Sequence, residues 1–351
     1  MKITTLLLLV STVYCIAQDH STIKMSRKTE PNEKAFSILV PQDWVTTGGI
    51  FRLNPLEHGA ANAIAAKVDF SVQKDNKGSV AVSWLPEMLY FDASQSPAGQ
   101  MGLFPPGSQY NGMTVYPKMT ATDFIVNIAF PYARSEASQV RIVGQTSLPK
   151  LASNYLKRVS TVWGGMTFRY DAALVTFEYT EGGVSYTEKM LTVIEDWGEL
   201  GAGMWGNKES VTVRAPKGKL DDWEPILSII QGSVQIDSKW LAGEIRGQME
   251  RSGRLNEVMH QMQEIERGIT EHRRKTYAEI HNDMYLTLTD QEEYVNPFTS
   301  EIETGSNQWK HRWINEAGDV IYTDDDSYDP RVDVSLNRTD YELSKVRKRF
   351  E

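Results

Sequence analysis

Residues 167–194 read TFRYDAALVTFEYTEGGVSYTEKMLTVI, and this stretch decides the architecture. Two runs rich in β-branched and aromatic residues, 167–179 and 184–194, are separated by Glu181, Gly182 and Gly183. A glycine pair supplies the positive φ that a tight hairpin turn needs, so the spacing predicts a long antiparallel hairpin. Before it, Ser147 and Pro149 open a helix through Leu151, Tyr155, Leu156 and Val159, with a strand expected at 140–143. Further upstream, Thr122 is placed to cap a helix through Phe124, Ile125, Ile128 and Phe130 that ends at Pro131. After the hairpin come a strand at 210–214, a helix with Trp223, Ile226, Leu227 and Ile230 capped by Asp221 and Asp222, and a short return to the sheet at 233–236.

Nearer the N-terminus, Phe36, Ile38 and Val40 alternate with Ser37 and Leu39 ahead of Pro41, and a second strand fits 49–53. Val68, Phe70 and Val72 alternate with Lys67, Asp69, Ser71 and Gln73, then turn through Asp75 to Gly78 into Val80, Val82 and Trp84. That pattern describes a hairpin buried on one face. Hairpins with isolated helices give an α+β fold, a mostly antiparallel sheet flanked by helices. Residues 86–118 have no clear period and are rich in Pro and Gly. A structureless loop of that length is usually functional or mobile, and its Tyr90, Phe91, Phe104, Tyr110 and Tyr116 either line a cleft or pin the loop to the domain.

Residues 238–286 carry Leu241, Ile245, Met249, Leu255, Val258, Met262, Ile265, Ile269 and Ile280 at mostly three- and four-residue steps, the stripe of one amphipathic helix. Such a helix would reach roughly 70 Å, too long to lie wholly against a small domain. Ser252 and Gly253 mark the expected bend. The arm either folds back on the domain or makes an oligomeric coiled coil. Beyond it, 287–334 form an acidic aromatic tail, and 335–351 a charged C-terminus. In the tail a strand with Trp309, His311 and Trp313 on one face turns at Asn315 to Asp319 into a second with Val320, Ile321 and Tyr322, before Tyr328. A lone hairpin is marginal in water, so the two tryptophans are expected to dock on the helix, the sandwich or a partner.

The chain opens with Lys2, an apolar run from Ile3, and Cys15-Ile16-Ala17, the layout of a signal peptide cleaved after Ala17. The protein is therefore expected to be exported, periplasmic or extracellular, with a polar, mobile leader at 18–34. No other stretch offers the run of ~20 apolar residues that a transmembrane helix needs. Cys15 is the only cysteine, so the mature chain has no disulfide, thiol nucleophile or cysteine-ligated zinc. Removing Lys2 leaves 36 basic against 46 acidic residues, and 13 acidic against 3 basic ones lie between Asp283 and Asp333. A neutral body with an acidic tail argues against nucleic acid as a partner, because its phosphates require a basic face.

The opening Phe36-Ser37-Ile38-Leu39-Val40-Pro41-Gln42-Asp43-Trp44, the early hairpin, the helix ending near Val159, the long hairpin and the closing Trp223-to-Ile236 helix and strand together resemble the Mog1/PsbP/DcrB-like α/β/α sandwich. The resemblance covers 35–237. It implies a scaffold used for binding or assembly more than for catalysis, and it carries over no functional residue. The 86–118 loop departs from the minimal form of that fold.

Motifs for a serine hydrolase, a zinc protease, a P-loop or a dinucleotide fold are missing from the sequence. Asp324, Asp326 and Asp329 offer hard oxygen ligands but lack the Gly and distal Glu of a calcium loop, so they read as a solvated turn. No cofactor and no metal is expected. The expectation is a non-catalytic exported protein that binds or assembles with a protein or small ligand, with Trp309, Trp313, Tyr322, Tyr328, Tyr110 and Tyr116 as candidate contacts. The alternative is an envelope hydrolase with its site under the 86–118 loop, which buried carboxylates clustered with His58 would mark.

Overall fold

The computed structural model describes residues 22–95, 102, 104–162, 168–198, 201, 203–251 and 291–347. The signal-peptide reading of 1–17, and the long helix beyond Arg251 with its coiled-coil alternative, lie outside the described residues.

The 167–194 stretch forms β10 (Arg169–Glu181) and β11 (Val184–Asp196), 13 residues each, turned by Gly182 and Gly183 at φ 56° and 80°. They belong to a ten-stranded sheet whose main path is β3 (Val45–Phe51), β4 (Lys67–Gln73), β5 (Ala81–Trp84), β12 (Met204–Pro216), β11, β10 and β9 (Ser138–Ser147). Every pairing along that path is antiparallel, the α+β arrangement expected. The 86–118 loop is not structureless, because it adds β6 (Leu89–Phe91), β7 (Gln109–Tyr110) and β8 (Met113–Val115) beside β12. Its strands are two or three residues long, too short for an alternation to show.

Both faces of the sheet are covered, following the two-residue period of the strands. Ala173, Val175, Phe177 and Tyr179 of β10 lie under helix α1, which runs without a break through Ala121–Phe124, Ile125–Ala129 and Phe130–Ala133. Phe130 stacks on Phe177 with ring centroids 4.1 Å apart, and a buried ring of this kind contributes roughly 1.5–3 kcal/mol. Thr120, not Thr122, caps α1 by accepting from the Asp123 N–H at 3.1 Å. Nor does Pro131 end it. A π turn makes the Phe130 N–H reach Ile125, five residues back, and the helix continues past the missing proline donor. Ala172, Leu191 and Val193 face the other way, toward α2 (Pro149–Val162). On that same side α3 (Leu220–Gly232) packs Leu227 and Ile230 with Val211 and Ala215 of β12. Lys219 occupies its cap position, with Asp221 and Asp222 in the first turn, where carboxylates suit the helix dipole.

At the far edge, β9 carries two irregularities of register against β10. It leaves Val140, Ile142 and Val143 42–50 % exposed.

The second sheet overturns the division at 35–237. Its order is β13 (Gln235–Ile236), β2 (Phe36–Pro41), β1 (Thr22–Thr29), β17 (Val320–Thr323), β16 (His311–Ile314) and β18 (Glu342–Leu343). Residues 22–29 are thus a central strand and no mobile leader. Met25 pairs with both Pro41 and Val320, and its side chain is buried. Ile23 and Met25 alternating with Lys24 and Ser26 are the local reason. The tail hairpin turns at Asn315 to Asp319 as expected, with Gly318 at φ 83°. It docks internally on β1, and its Ile314, Val320 and Tyr322 join Phe70, Val72 and α3 in one core.

A third sheet, β15 (Ile302–Ser306), β14 (Gln291–Val295) and β19 (Lys345–Val346), is tied in by the fully buried Arg312. Arg312 pairs with Glu303, donates to Ser344 Oγ at 2.8 Å and lies beside Tyr322. The described part of the long helix, α4 (Ser238–Arg251), docks chiefly through Glu244. That buried carboxylate accepts from the Ala66 N–H at 2.9 Å and pairs with Arg52 at 2.8 Å and Arg251 at 3.0 Å. Leu241 and Ile245 are only half-buried.

A fragment of residues 35–237 lacks β1, β16 and β17 and so leaves Ile38 and Val40 without their cover. It is expected to show no cooperative thermal unfolding, whereas the chain from 18 to 351 melts in one transition; calorimetry on both decides, and a sharp melt of the fragment would refute the single-core assignment.

Candidate functional site

The structure scatters the residues proposed from the sequence. Trp309 and Trp313 do not share a face: the chain bends before β16, and along the strand Arg312 and Ile314 point inward while His311 and Trp313 lie opposite. Trp309 is buried against Tyr322, ring centroids 5.5 Å apart, and Tyr322 is wholly enclosed. Arg331 lies over the Trp313 ring at 5.5 Å. The Tyr328 hydroxyl donates to Asp333 at 2.7 Å, and Asp333 also pairs with Lys24 at 2.9 Å, pinning the acidic segment to β1. In the 86–118 loop, Tyr110 stacks on Phe91 at 4.1 Å, and Tyr116 packs beside Tyr90 while its carbonyl accepts from Trp205 Nε1 at 3.0 Å. These aromatics hold the fold together. Asp326 engages Lys310 and His311, and Asp329 pairs with Arg331, which fits a charge-balanced turn. Among the described residues no group of three or more His, Cys, Asp or Glu is arranged for a metal ion.

Sequence reasoning missed a polar cleft where β3 pairs with β4. About 520 Å³ in volume and open to solvent, it is lined by Asn32, Thr47, Gly48, Gly49, Phe51, Asp69 and Ser71. Gly48 is indispensable there. It sits at φ +78°, and a Cβ would fall 2.0 Å from the Asp69 carbonyl oxygen. Asp69 receives the Tyr132 hydroxyl from α1 at 2.7 Å through Oδ2, leaving Oδ1 without a hydrogen bond among the described residues. Burial and that bond push the Tyr132 phenol up to about 12, so it stays a donor at neutral pH. Ser71 donates to Ser83, and Thr47 accepts from Gln73. Asn32 donates its amide to the Ile50 carbonyl at 2.9 Å, and its amide oxygen takes no hydrogen bond among the described residues. The one signal in the sequence was the Gly48-Gly49 pair inside a strand, which marks close backbone approach.

Glu30 ties the turn that carries Asn32 to β3 beside this cleft. Its buried carboxylate accepts from the N–H groups of Asn32 and Glu33 at 2.9 Å each, Ala35 at 3.3 Å and Ile50 at 2.8 Å. Thus the turn after β1 satisfies part of the free edge of β3. A Cβ on Gly49 would meet Glu30 Oε1 at 2.4 Å, so the glycine admits the carboxylate.

Among the described residues the most deeply buried carboxylate is committed. Glu188 is fully enclosed and takes a bidentate pair from Arg134 at 2.8 Å, the Tyr179 hydroxyl at 2.6 Å and the Thr212 hydroxyl. Burial alone would raise its pKa, but Arg134 and these donors hold it below the ordinary carboxylate value. Arg134 ends α1, so the pair latches helix to sheet. On the opposite face, a void of about 30 Å³ under α3 has room for roughly one water.

No family model matches the chain, and no curated protein does. The solution structure of cyanobacterial PsbP (CyanoP) from Synechocystis sp. PCC 6803 is similar over 61 % of this chain and 94 % of its own, at 9 % identity and a TM-score of 0.27. This is a loose PsbP-like likeness, and it lends the chain no function.

Replacing Glu30 by Gln sets an amide donor against backbone N–H groups, with an expected loss of roughly 1–3 kcal/mol. Burial acts to raise the Glu30 pKa, but the four backbone donors outweigh it and hold the folded value below the unfolded one. Its contribution is therefore complete at neutral pH and disappears as pH falls through the folded pKa. Melting temperature should drop with acidification more steeply for the wild type than for Glu30→Gln; equal slopes would show that Glu30 contributes no pH-dependent stability.

Proposed function

We propose that this is a non-catalytic binding protein, exported to the periplasm or the exterior, that holds a small polar molecule in the cleft over β3 and β4. The carrying observation is a pair of acceptors with no hydrogen bond among the described residues, Asp69 Oδ1 and the Asn32 amide oxygen, with the exposed Thr47 hydroxyl, which accepts from Gln73 and keeps its own proton to donate, beside the half-buried Phe51 ring. Two acceptors and one hydroxyl next to one aromatic face suit a neutral, hydroxyl-bearing ligand, which donates to the acceptors and lays its C–H face on the ring. Export rests on the signal-peptide pattern at 1–17, and no helix among the described residues is long and apolar enough to cross a membrane. Self-association through 238–286 belongs to the same proposal.

Among the described residues no arrangement favours the hydrolase. His58 is exposed beside Glu57, 3.9 Å away, and the buried Asp92 is bonded to Ser94 and to the Lys118 N–H.

Titration calorimetry with a panel of neutral mono- and disaccharides tests the cleft. Binding by at least one of them is expected, weakened about tenfold or more in Asp69→Ala, since a hydrogen bond to a charged group is worth about 1.5–3 kcal/mol. A panel that gives no heat with the wild type, or a ligand indifferent to Asp69→Ala, would remove the cleft from the proposal.

A further inference from the structure

Helix α4 is fastened to the body by charge. Glu244 is the one described side chain of α4 that is buried, at 6 % exposure, while Trp240, Leu241 and Ile245 are half-buried. A helix docked through its apolar stripe would bury the reverse set. Glu244 Oε1 accepts from the Ala66 N–H, just ahead of β4, at 2.9 Å, and from Gln248 and Arg251 at 3.0 Å each. Glu244 Oε2 pairs with Arg52, just past β3, at 2.8 Å. Arg52 also forks onto Glu33 of the β1–β2 turn, at 2.7 and 2.8 Å, and Glu33 receives the Trp240 Nε1–H from α4 at 2.8 Å. In the last turn Arg251 bonds the Ile64 carbonyl. The clamp thus joins α4 to three segments of the body, at Glu33, at Arg52 and at Ile64 to Ala66. Lys67 of β4 adds a further positive charge near Glu244.

We propose that α4 is an acid-released arm, docked while Glu244 and Glu33 are ionised and let go when they take up protons. Protonated Glu244 loses both ion pairs and sets an O–H among groups that only donate: an N–H, an amide NH₂ and two guanidiniums. Protonated Glu33 loses its fork on Arg52 in the same way. What remains is the partial cover of Leu241 and Ile245. The root of the arm stays in place, because the Asp237 N–H donates to the Ala35 carbonyl at 2.8 Å, so α4 swings from β13.

The direction of the switch follows from the same contacts. Burial acts to raise the Glu244 pKa, but the Ala66 N–H, Gln248 and Arg52 outweigh it. Arg52 does the same for Glu33 against burial, with help from Trp240. Both folded values lie below the ordinary carboxylate value, so docking is complete at neutral pH and is lost as pH falls through them.

Hydrogen exchange of the full chain, read by mass spectrometry as protection relative to the intrinsic rate at each pH, tests the arm. Between pH 7 and about pH 3.5, protection of peptides from 238–251 is expected to fall about tenfold or more, while the β10–β11 hairpin keeps its own. In Glu244→Gln the loss should be present already at pH 7, with the hairpin's protection reporting that the variant is folded. Glu250→Gln, which changes an exposed carboxylate of the same helix, should match the wild type. Loss of α4 and hairpin protection in a single step, or an α4 as protected in Glu244→Gln as in the wild type, would overturn the proposal. An equal loss in Glu250→Gln would overturn it too, by tracing the release to the helix's charge and not to the clamp.

Discussion

Strand β1 is hydrogen-bonded along both edges, to β2 on one side and β17 on the other. The second sheet depends on that double pairing, because β2 and the tail hairpin are not hydrogen-bonded neighbours within it. Closing a loop from Thr22 to Thr323 costs entropy that grows only logarithmically with its length. The penalty is kinetic: contacts so remote in sequence are slow to find. The long β10–β11 hairpin is local and needs no such search.

Two buried ionic knots then fix how the layers sit. Arg134 with Glu188, Tyr179 and Thr212 sets the end of α1 over the ten-stranded sheet, and Arg312 with Glu303 and Ser344 sets the third sheet against the second. Attraction inside a buried pair is largely offset by the loss of hydration, so its net contribution to stability is small. Removing one member alone is far more damaging, because the other charge is left enclosed. What each knot imposes is a unique position for the elements it joins.

The parts of the fold legible in the sequence are those specified locally. Gly182-Gly183 announced its hairpin, Val68, Phe70 and Val72 announced β4, and Pro149 opened α2 where the structure has it. What stayed hidden was made by distant neighbours. TIKMSRKT alternates weakly and became a central strand only because β17 arrived from the other end. Trp309 and Trp313 looked like one face until a bend before β16 separated them, and the charged Arg312 took the inward position. The cleft was illegible for the same reason: Asp69 and Ser71 read as the wet side of a strand, and Asn32, which lines the cleft with them, comes from the turn joining β1 and β2 of another sheet. Lys67 shared that alternation, yet it is enclosed, with Glu244 of α4 and Lys208 of β12 among the charges near it.

The outer strand β9 has a bearing on how this protein behaves in crowded solution. Its sequence SQVRIVGQTS carries one charged residue, Arg141, itself engaged by Glu178, and no proline. A strand so equipped presents unpaired backbone to any passing chain. The kinks where Phe177 meets Ile142 and where Thr180 meets Ser138 spoil the even spacing that a foreign strand would have to match. Shape in place of charge guards this border, and a deletion that straightened β9 would leave an edge more prone to stack against another of its kind.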